Sequence, residues 1–517
     1  MPDLPRRNLS AHTILADALM KHLSLLVTSL FLIKWLSSCA VGPDYEPPES
    51  DVPDAWHREL AKGLASGEAS IDAWWEVLND PVLNSLVERA QAGNLELREA
   101  YARIREARAV RGIASGEHLP FIDAIGTYQR QRVSEEIVPV TSPLKRTDDF
   151  FQAGFDASWE IDIFGRIRRS VESADASFGA SIEDYRDVLV ALYAEVARTY
   201  IDIRTLQARL RFALANVETQ TGTRELVQNR LDAELVPELD LRQAELNVAS
   251  TESFVPAVRA GLARAIHRLG VLLGEHPATL HDELSADGSI PTVPETVAVG
   301  LPTDLLRQRP DVRRAERELA AQTARIGVAT ADLYPRFALL GTFTFEAFDA
   351  GKMWDHAARA YSFGPSIQWN IFEGGRIRNN IRVEDARTEQ SLVRYERTVL
   401  LALEEVESSL VDYVEERQRQ GALARAVTAA DRSVELVKTL YTTGFSDFQN
   451  VLDAERTLFS RQDELAASEG LVVQNLVRLY KALGGGWNPD LESSVDSDGS
   501  NGSETNNDEA DETPGEE

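Results

Sequence analysis

The chain has 517 residues, is 43% hydrophobic, and carries a formal net charge of −29 from 54 Lys+Arg against 83 Asp+Glu. That balance argues against a nucleic-acid binder, which needs a basic face, and the apolar content excludes wholesale disorder. One cysteine excludes an intramolecular disulfide and a multi-thiolate metal site, and the eight His form no HExxH-type pair.

Residues 1–38 read as an export signal: Lys21, an apolar run over 23–33, then Leu36-Ser37-Ser38-Cys39. The run is shorter than the ~20 residues that a transmembrane helix needs. The residues before Met20 are unusual for a signal, so Met20 is a candidate start. Leu-Ser-Ser-Cys resembles the bacterial lipoprotein lipobox, which makes Cys39 a lipidation site; the bland alternative is a buried thiol behind an ordinary signal. Ala40 behind it favours the outer membrane over inner-membrane retention.

An internal repeat organises the rest. Residues 225–273 align with 435–483 at a constant offset of 210, matching Glu225-Leu226-Val227 to Glu435-Leu436-Val437 and Ala244-Glu245 to Ala454-Glu455. Leu119-Pro120 corresponds to Tyr334-Pro335, and the run 163–168 to Ile371-Phe372 plus 375–378. Each half reads as helix, two strands, long helix, turn, helix. The first repeat covers 39–273, a connector 274–303, and the second repeat 304–487.

The strands are expected at about 121–133, 150–164, 336–346 and 361–373. Phe151, Ala153, Phe155, Ala157, Trp159, Ile161 and Ile163 alternate with Gln152, Gly154, Asp156, Ser158, Glu160 and Asp162. Tyr361, Phe363, Pro365, Ile367, Trp369 and Ile371 alternate with Ser362, Gly364, Ser366, Gln368 and Asn370. Runs of ~10 residues with one aromatic-rich apolar face are typical of a membrane β-barrel; a half-buried sheet of a soluble sandwich is the alternative. Four strands cannot close a transmembrane barrel, and lipid does not tolerate open edges. If these strands span a membrane, several chains must therefore share one barrel, whether two, three or four.

Helical hairpins are expected over 170–273 and 377–483. Leu189, Leu192, Val196, Thr199, Ile203, Leu206, Leu210, Ala213 and Val217 step by three and four, a heptad seam. Leu392, Tyr395, Val399, Ala402, Val406, Leu410 and Tyr413 step similarly in the second copy. Pro237 and Gly444 mark the turns between outgoing and returning helices. Such rods must pack lengthwise against others.

These residues resemble the TolC-like outer membrane factor family, lipoprotein branch. The resemblance rests on the start Cys39-Ala40-Val41-Gly42-Pro43-Asp44-Tyr45, Trp74-Trp75 before Asp80-Pro81, Arg309-Pro310-Asp311-Val312, and Leu483-Gly484-Gly485-Gly486-Trp487. It implies a fold mainly α with membrane β: a homotrimer whose twelve strands form one outer-membrane barrel, continued by a coiled-coil tunnel through the periplasm. It also implies a periplasmic adaptor (membrane fusion protein) and an inner-membrane pump as partners, with no cofactor beyond the covalent lipid on Cys39. The family's aperture motif matches Tyr441 through Gly444 to 450–455, placing Asp453 on an aperture position and Asn450 where some relatives carry a second acid. Asp240 carries over as a further aperture position. Leu235, Val236, Gly444, Phe445 and Ser446 fall at the tips that contact an adaptor. The turn 234–237 lacks the family's glycine. The competing reading makes Asp240 and Asp453 solvated acids near positive helix ends.

The tail 488–517 holds eleven acidic residues and no basic one, and is expected to be disordered. The segment 1–38 carries +2, so the body 39–487 holds −20 of the total, and a duct built from it should favour cations. No nucleophile–base constellation points to an enzyme. The alternative to a channel is a lipid-anchored periplasmic coiled-coil adaptor or scaffold without a pore.

Overall fold

A computed structural model describes residues 40–49, 52–53, 55–57, 64–66, 71–132, 134, 147–304 and 308–487. Cys39, the signal and the acidic tail lie outside the described residues. The chain divides into two compact units that do not follow the halves of the sequence. One collects residues 1–49, 103–182 and 314–397, and the other 50–102, 183–313 and 398–517.

The first unit holds a four-stranded antiparallel sheet in the order β2-β3-β5-β6, with β2 Phe121–Arg132, β3 Thr147–Ile161, β5 Arg336–Ala347 and β6 Arg359–Gln368. Its register aligns Ala124, Phe155, Phe343 and Tyr361 in one row across all four strands, and Ile122, Ala157, Gly341 and Phe363 in another. The alternate row is Asp123, Asp156, Thr342 and Ser362, so one face is apolar and the other polar. The apolar face is open in a single chain: Phe363 is 83% exposed and Tyr361 72%. At one end, Trp159 Nε1–H donates to the His118 carbonyl (2.9 Å) and Trp369 Nε1–H to the Leu333 carbonyl (3.1 Å). Two strands stop short of their expected ends: β3 at Ile161 instead of 164 and β6 at Gln368 instead of 373, because their shared partner β5 begins at Arg336 and offers no further ladder. Trp369 and Ile371 continue the alternation outside the sheet.

The start of the described chain is tied down in the same unit. Val41 N–H donates to the Phe164 carbonyl (3.1 Å), and the buried Arg169 guanidinium donates to the Val41 carbonyl (3.2 Å) and to Asp44 (2.6 Å). A Cβ on Gly165 would lie 2.7 Å from the Ala40 Cα, so the chain passes where only glycine leaves room.

The helices repeat the offset seen in the sequence. After α1 Pro81–Gly93 and α2 Leu95–Gly116 come α3 Arg166–Asp232 and α4 Glu238–Leu272; after α5 His281–Leu284 and α6 Pro310–Ala331 come α7 Arg376–Thr442 and α8 Phe448–Ala482. Helices α3 and α7 both have 67 residues and α4 and α8 both 35, each pair displaced by 210. At 1.5 Å per residue the longer ones extend about 100 Å. The heptad positions Leu189, Leu192, Val196 and Ile203 of α3, and Val399, Ala402, Val406, Leu410 and Tyr413 of α7, are buried as the periodicity requires. No helix among the described residues is long and apolar enough to cross a membrane.

The second unit has its main core around Trp74, which stacks on Tyr480 at 5.6 Å, with Leu83, Leu86, Tyr200, Leu269 and Leu476 all buried. The helix-capping Asp80 accepts from Val82 and Leu83 N–H and from the Tyr200 hydroxyl at 2.7 Å. Arg309 is likewise structural: it donates to the Ala482 carbonyl (2.6 Å), Glu405 (2.8 Å) and Asp311 (2.8 Å). The connector is not bare chain. It contains α5 and β4 Val297–Val299, which pairs in parallel with β1 Leu64–Ser66. Strands of three residues leave no period to read.

Candidate functional site at the hairpin ends

The two hairpin turns close with one geometry. In the second, Phe445 N–H donates to the Leu440 carbonyl (2.8 Å) and Gly444 N–H to the Tyr441 carbonyl (3.1 Å). In the first, Leu235 N–H donates to Arg230 (2.8 Å) and Glu234 N–H to Leu231 (2.8 Å), again displaced by 210. This bond pair is a Schellman cap, whose penultimate residue is left-handed. Gly444 has φ +81°, and Glu234 has φ +58° in its place. The missing glycine therefore changes no geometry; Glu234 carries a left-handed strain of about 1 kcal/mol instead.

The caps expose what lies beyond them. Leu235 is 66% exposed and Phe445 83%, two apolar side chains at the very ends of the hairpins. Val236 and Ser446 are half-buried. Beneath them Val227, Leu241, Ala244, Tyr441, Phe448, Val451 and Leu452 form a small core drawn from both hairpins. The two hairpin ends are thus packed as one body, and turning one disturbs the other.

The acidic candidates sit around this core in different surroundings. Asp453 and Asn450 are exposed on α8; Gln449 Nε2 donates to Asp453 (3.0 Å), and Asn450 Nδ2 to the Ser446 hydroxyl (3.1 Å). Asp240 is half-buried at the start of α4. Burial first, and then the charge of Asp447, push its carboxyl above the ordinary range. Tyr441 is buried with its hydroxyl unpartnered, and burial followed by the Asp240 charge raises its pKa against the opposing pull of Arg230. The structure therefore brings Asp240, Asp447 and Tyr441 together, while Asn450 and Asp453 share one exposed face of α8, three residues apart.

A raised carboxyl pKa means that the folded tip binds a proton more tightly than the unfolded chain does. Burial of the ionised Asp240 carboxyl, and then its repulsion by Asp447, cost stability above that raised pKa, and the cost disappears as pH falls through it. Asp240→Asn is expected to raise the thermal midpoint slightly at neutral pH and to remove part of its rise on mild acidification. Melting curves of the two proteins between pH 7 and pH 4 check this.

Sequence reading missed Arg230. Its guanidinium lies 4.9 Å over the Tyr441 ring and donates to the Thr442 carbonyl (3.1 Å), joining the first hairpin to the second. The available signal was a break in the repeat. At the 210 offset Arg230 stands opposite Leu440 and Leu231 opposite Tyr441, so the Arg–Tyr contact exists only because the copies have diverged.

The chain matches the model of a protein family described as outer membrane efflux protein over residues 86–275 and 301–485. It is 32% identical over 468 residues to Nodulation protein T of Rhizobium leguminosarum bv. trifolii, covering 89% of this chain and 97% of that protein. It is 30% identical over 467 residues to the toluene efflux pump outer membrane protein TtgI of Pseudomonas putida, covering 89% and 97%. Among solved structures, the outer-membrane channel OprN superposes with a TM-score of 0.82 at 37% identity, covering 87% of this chain and all of that one. With its apolar-faced sheet, its paired helical hairpins and these matches across nearly the whole described chain, the protein belongs to the outer membrane efflux protein family.

Proposed function

We propose that the chain is the passive exit duct of a tripartite efflux or secretion system, working as a homotrimer with a periplasmic adaptor and an inner-membrane pump. The observation that carries this reading is the sheet. Its apolar face suits lipid, yet among the described residues β2 and β6 each leave one edge unpaired. Unpaired backbone groups cannot face hydrocarbon, so the edges must meet other copies. Three chains supply twelve strands, within the range of closed barrels. The paired hairpins then line the tunnel, and their ends form the aperture, with Asp240, Asn450, Asp453 and Tyr441 around it. Leu235, Val236, Gly444, Phe445 and Ser446 are the surface offered to the adaptor; the exposed Leu235 and Phe445 supply its apolar contact.

Cys39 bears the lipid in this reading. Ala40 beside it is seated against Gly165 just past the end of β3, which supports delivery of acyl chains at the level of the strand ends. The duct supplies no energy, so direction comes from the pump. The −20 of the body in each chain favours cations within it.

Purified protein should migrate on gels as a heat-modifiable trimer, fractionate with the outer membrane and open pores in planar bilayers. A monomer that forms no pore would return the chain to the alternative of a lipid-anchored periplasmic scaffold.

A further inference from the structure

One buried carboxylate touches all the helices that meet near the tips. Glu455 of α8 is 2% exposed. It accepts from the Thr223 hydroxyl of α3 (2.6 Å), from Asn247 Nδ2 of α4 (3.1 Å) and from the Lys438 ammonium of α7 (2.9 Å). Asn247 is itself 2% exposed, and its oxygen accepts from Arg456 Nε (3.0 Å). The repeat gives no hint of this arrangement. Its counterpart Glu245 pairs with Arg242 on its own helix, at 2.9 Å.

The position along α8 matters. Glu455 lies two residues beyond Asp453, about 200° further round the helix. One face of α8 therefore carries the exposed Asn450 and Asp453, and the opposite face carries the four-helix tie. Any rotation of α8 that moves the acids must also move Glu455 against Thr223, Asn247 and Lys438. Apolar neighbours such as Val227 and Val451 pack without direction and tolerate sliding. Hydrogen bonds to a buried carboxylate do not: a slip of one residue, about 1.5 Å, leaves the charge buried without its partners.

We propose that Glu455 is a positioning residue of the aperture, a clasp that holds the four helices in the closed register and so fixes where Asp453 and Asn450 stand. This rests on the duct reading above. A buried ion pair adds little net stability over apolar packing, but it specifies one register among several. An opposing feature lies one turn away. Gln220 of α3 is 2% exposed, and neither its amide nitrogen nor its oxygen has a partner. An unpaired buried amide disfavours the closed packing and is relieved when the helices part. Clasp and unpaired amide act in opposite directions on the same helix packing, the balance that a gate between two states needs.

The test is the conductance of the purified full-length protein in planar bilayers, read beside heat-modifiable migration and thermal midpoint. Glu455→Ala is expected to raise the resting conductance several-fold in protein that still runs as a trimer. Lys438→Met should raise it less, and the double variant no further than Glu455→Ala alone. If Glu455→Ala does not assemble, Glu455→Gln keeps the length and one accepting oxygen for Thr223 while removing the charge and the acceptor that faces Asn247 Nδ2; a raised conductance is again expected. A purely structural role would lower the thermal midpoint and leave the conductance of Glu455→Gln and Lys438→Met at the wild-type level, which would overturn the clasp and leave the duct standing. A wild-type protein that opens no pore of any conductance overturns the duct reading itself.

Discussion

Asp453→Ala is expected to raise single-channel conductance several-fold and to weaken cation preference, with little effect on the thermal midpoint. The side chain is exposed, and its contact in the structure is with Gln449, one turn back on the same helix. Removing it breaks no packing. In the proposed trimeric duct, three such carboxylates would stand around one axis, where they would draw a cation into the constriction and hold it there against passage. Neutralising the ring removes both the attraction and the block. The effect must shrink with ionic strength, because the screening length falls from about 10 Å at 0.1 M salt to about 3 Å at 1 M. Bilayer recordings of both proteins at the two salt concentrations check this. Equal conductance and equal selectivity at low salt would place Asp453 among ordinary solvated helix acids.

The second large effect concerns the sheet. Phe155 lies in the middle of β3, between Ala124 on one side and Phe343 on the other, on the apolar face. An arginine at the middle of a lipid-facing strand costs about 2–4 kcal/mol in membrane barrels, and a trimer carries it three times. Phe155→Arg is therefore expected to abolish the heat-modifiable outer-membrane trimer. Asp156→Arg, one residue along the same strand, points to the polar face beside Asp123 and Thr342. It should assemble and alter only permeation. Equal behaviour of the two variants in outer-membrane fractions would show that this face does not meet lipid. A soluble sandwich would fail the same contrast in another way, since charge on its buried face prevents folding in water as well.

Much of this architecture was legible in the residues. The strands were readable because a two-sided sheet imposes a period of two, and Phe151 to Ile161 keep it without a break. The long helices were readable because no proline interrupts 169–233 and heptad steps mark the buried seam. The duplication was readable because equal helices leave an equal offset. The turn at Glu234 was readable as a turn, but not its form. A left-handed glutamate follows from the hydrogen bonds that Leu235 and Glu234 make, and residue type alone argues against it.

The sequence alone determined the periods: which residues alternate, which repeat every seven, and where the second copy begins. These depend only on neighbours along the chain. Tertiary structure decided what the periods cannot carry. It ended β6 at Gln368, paired β1 with β4, set Arg230 over Tyr441, and chose between two glutamates that the repeat makes equal. Glu245 remains with Arg242 on its own helix, while Glu455 is buried against Thr223, 232 residues away. Burial is conferred by what packs from elsewhere, and the partners of Glu455 come from three other helices whose order in space no local pattern records.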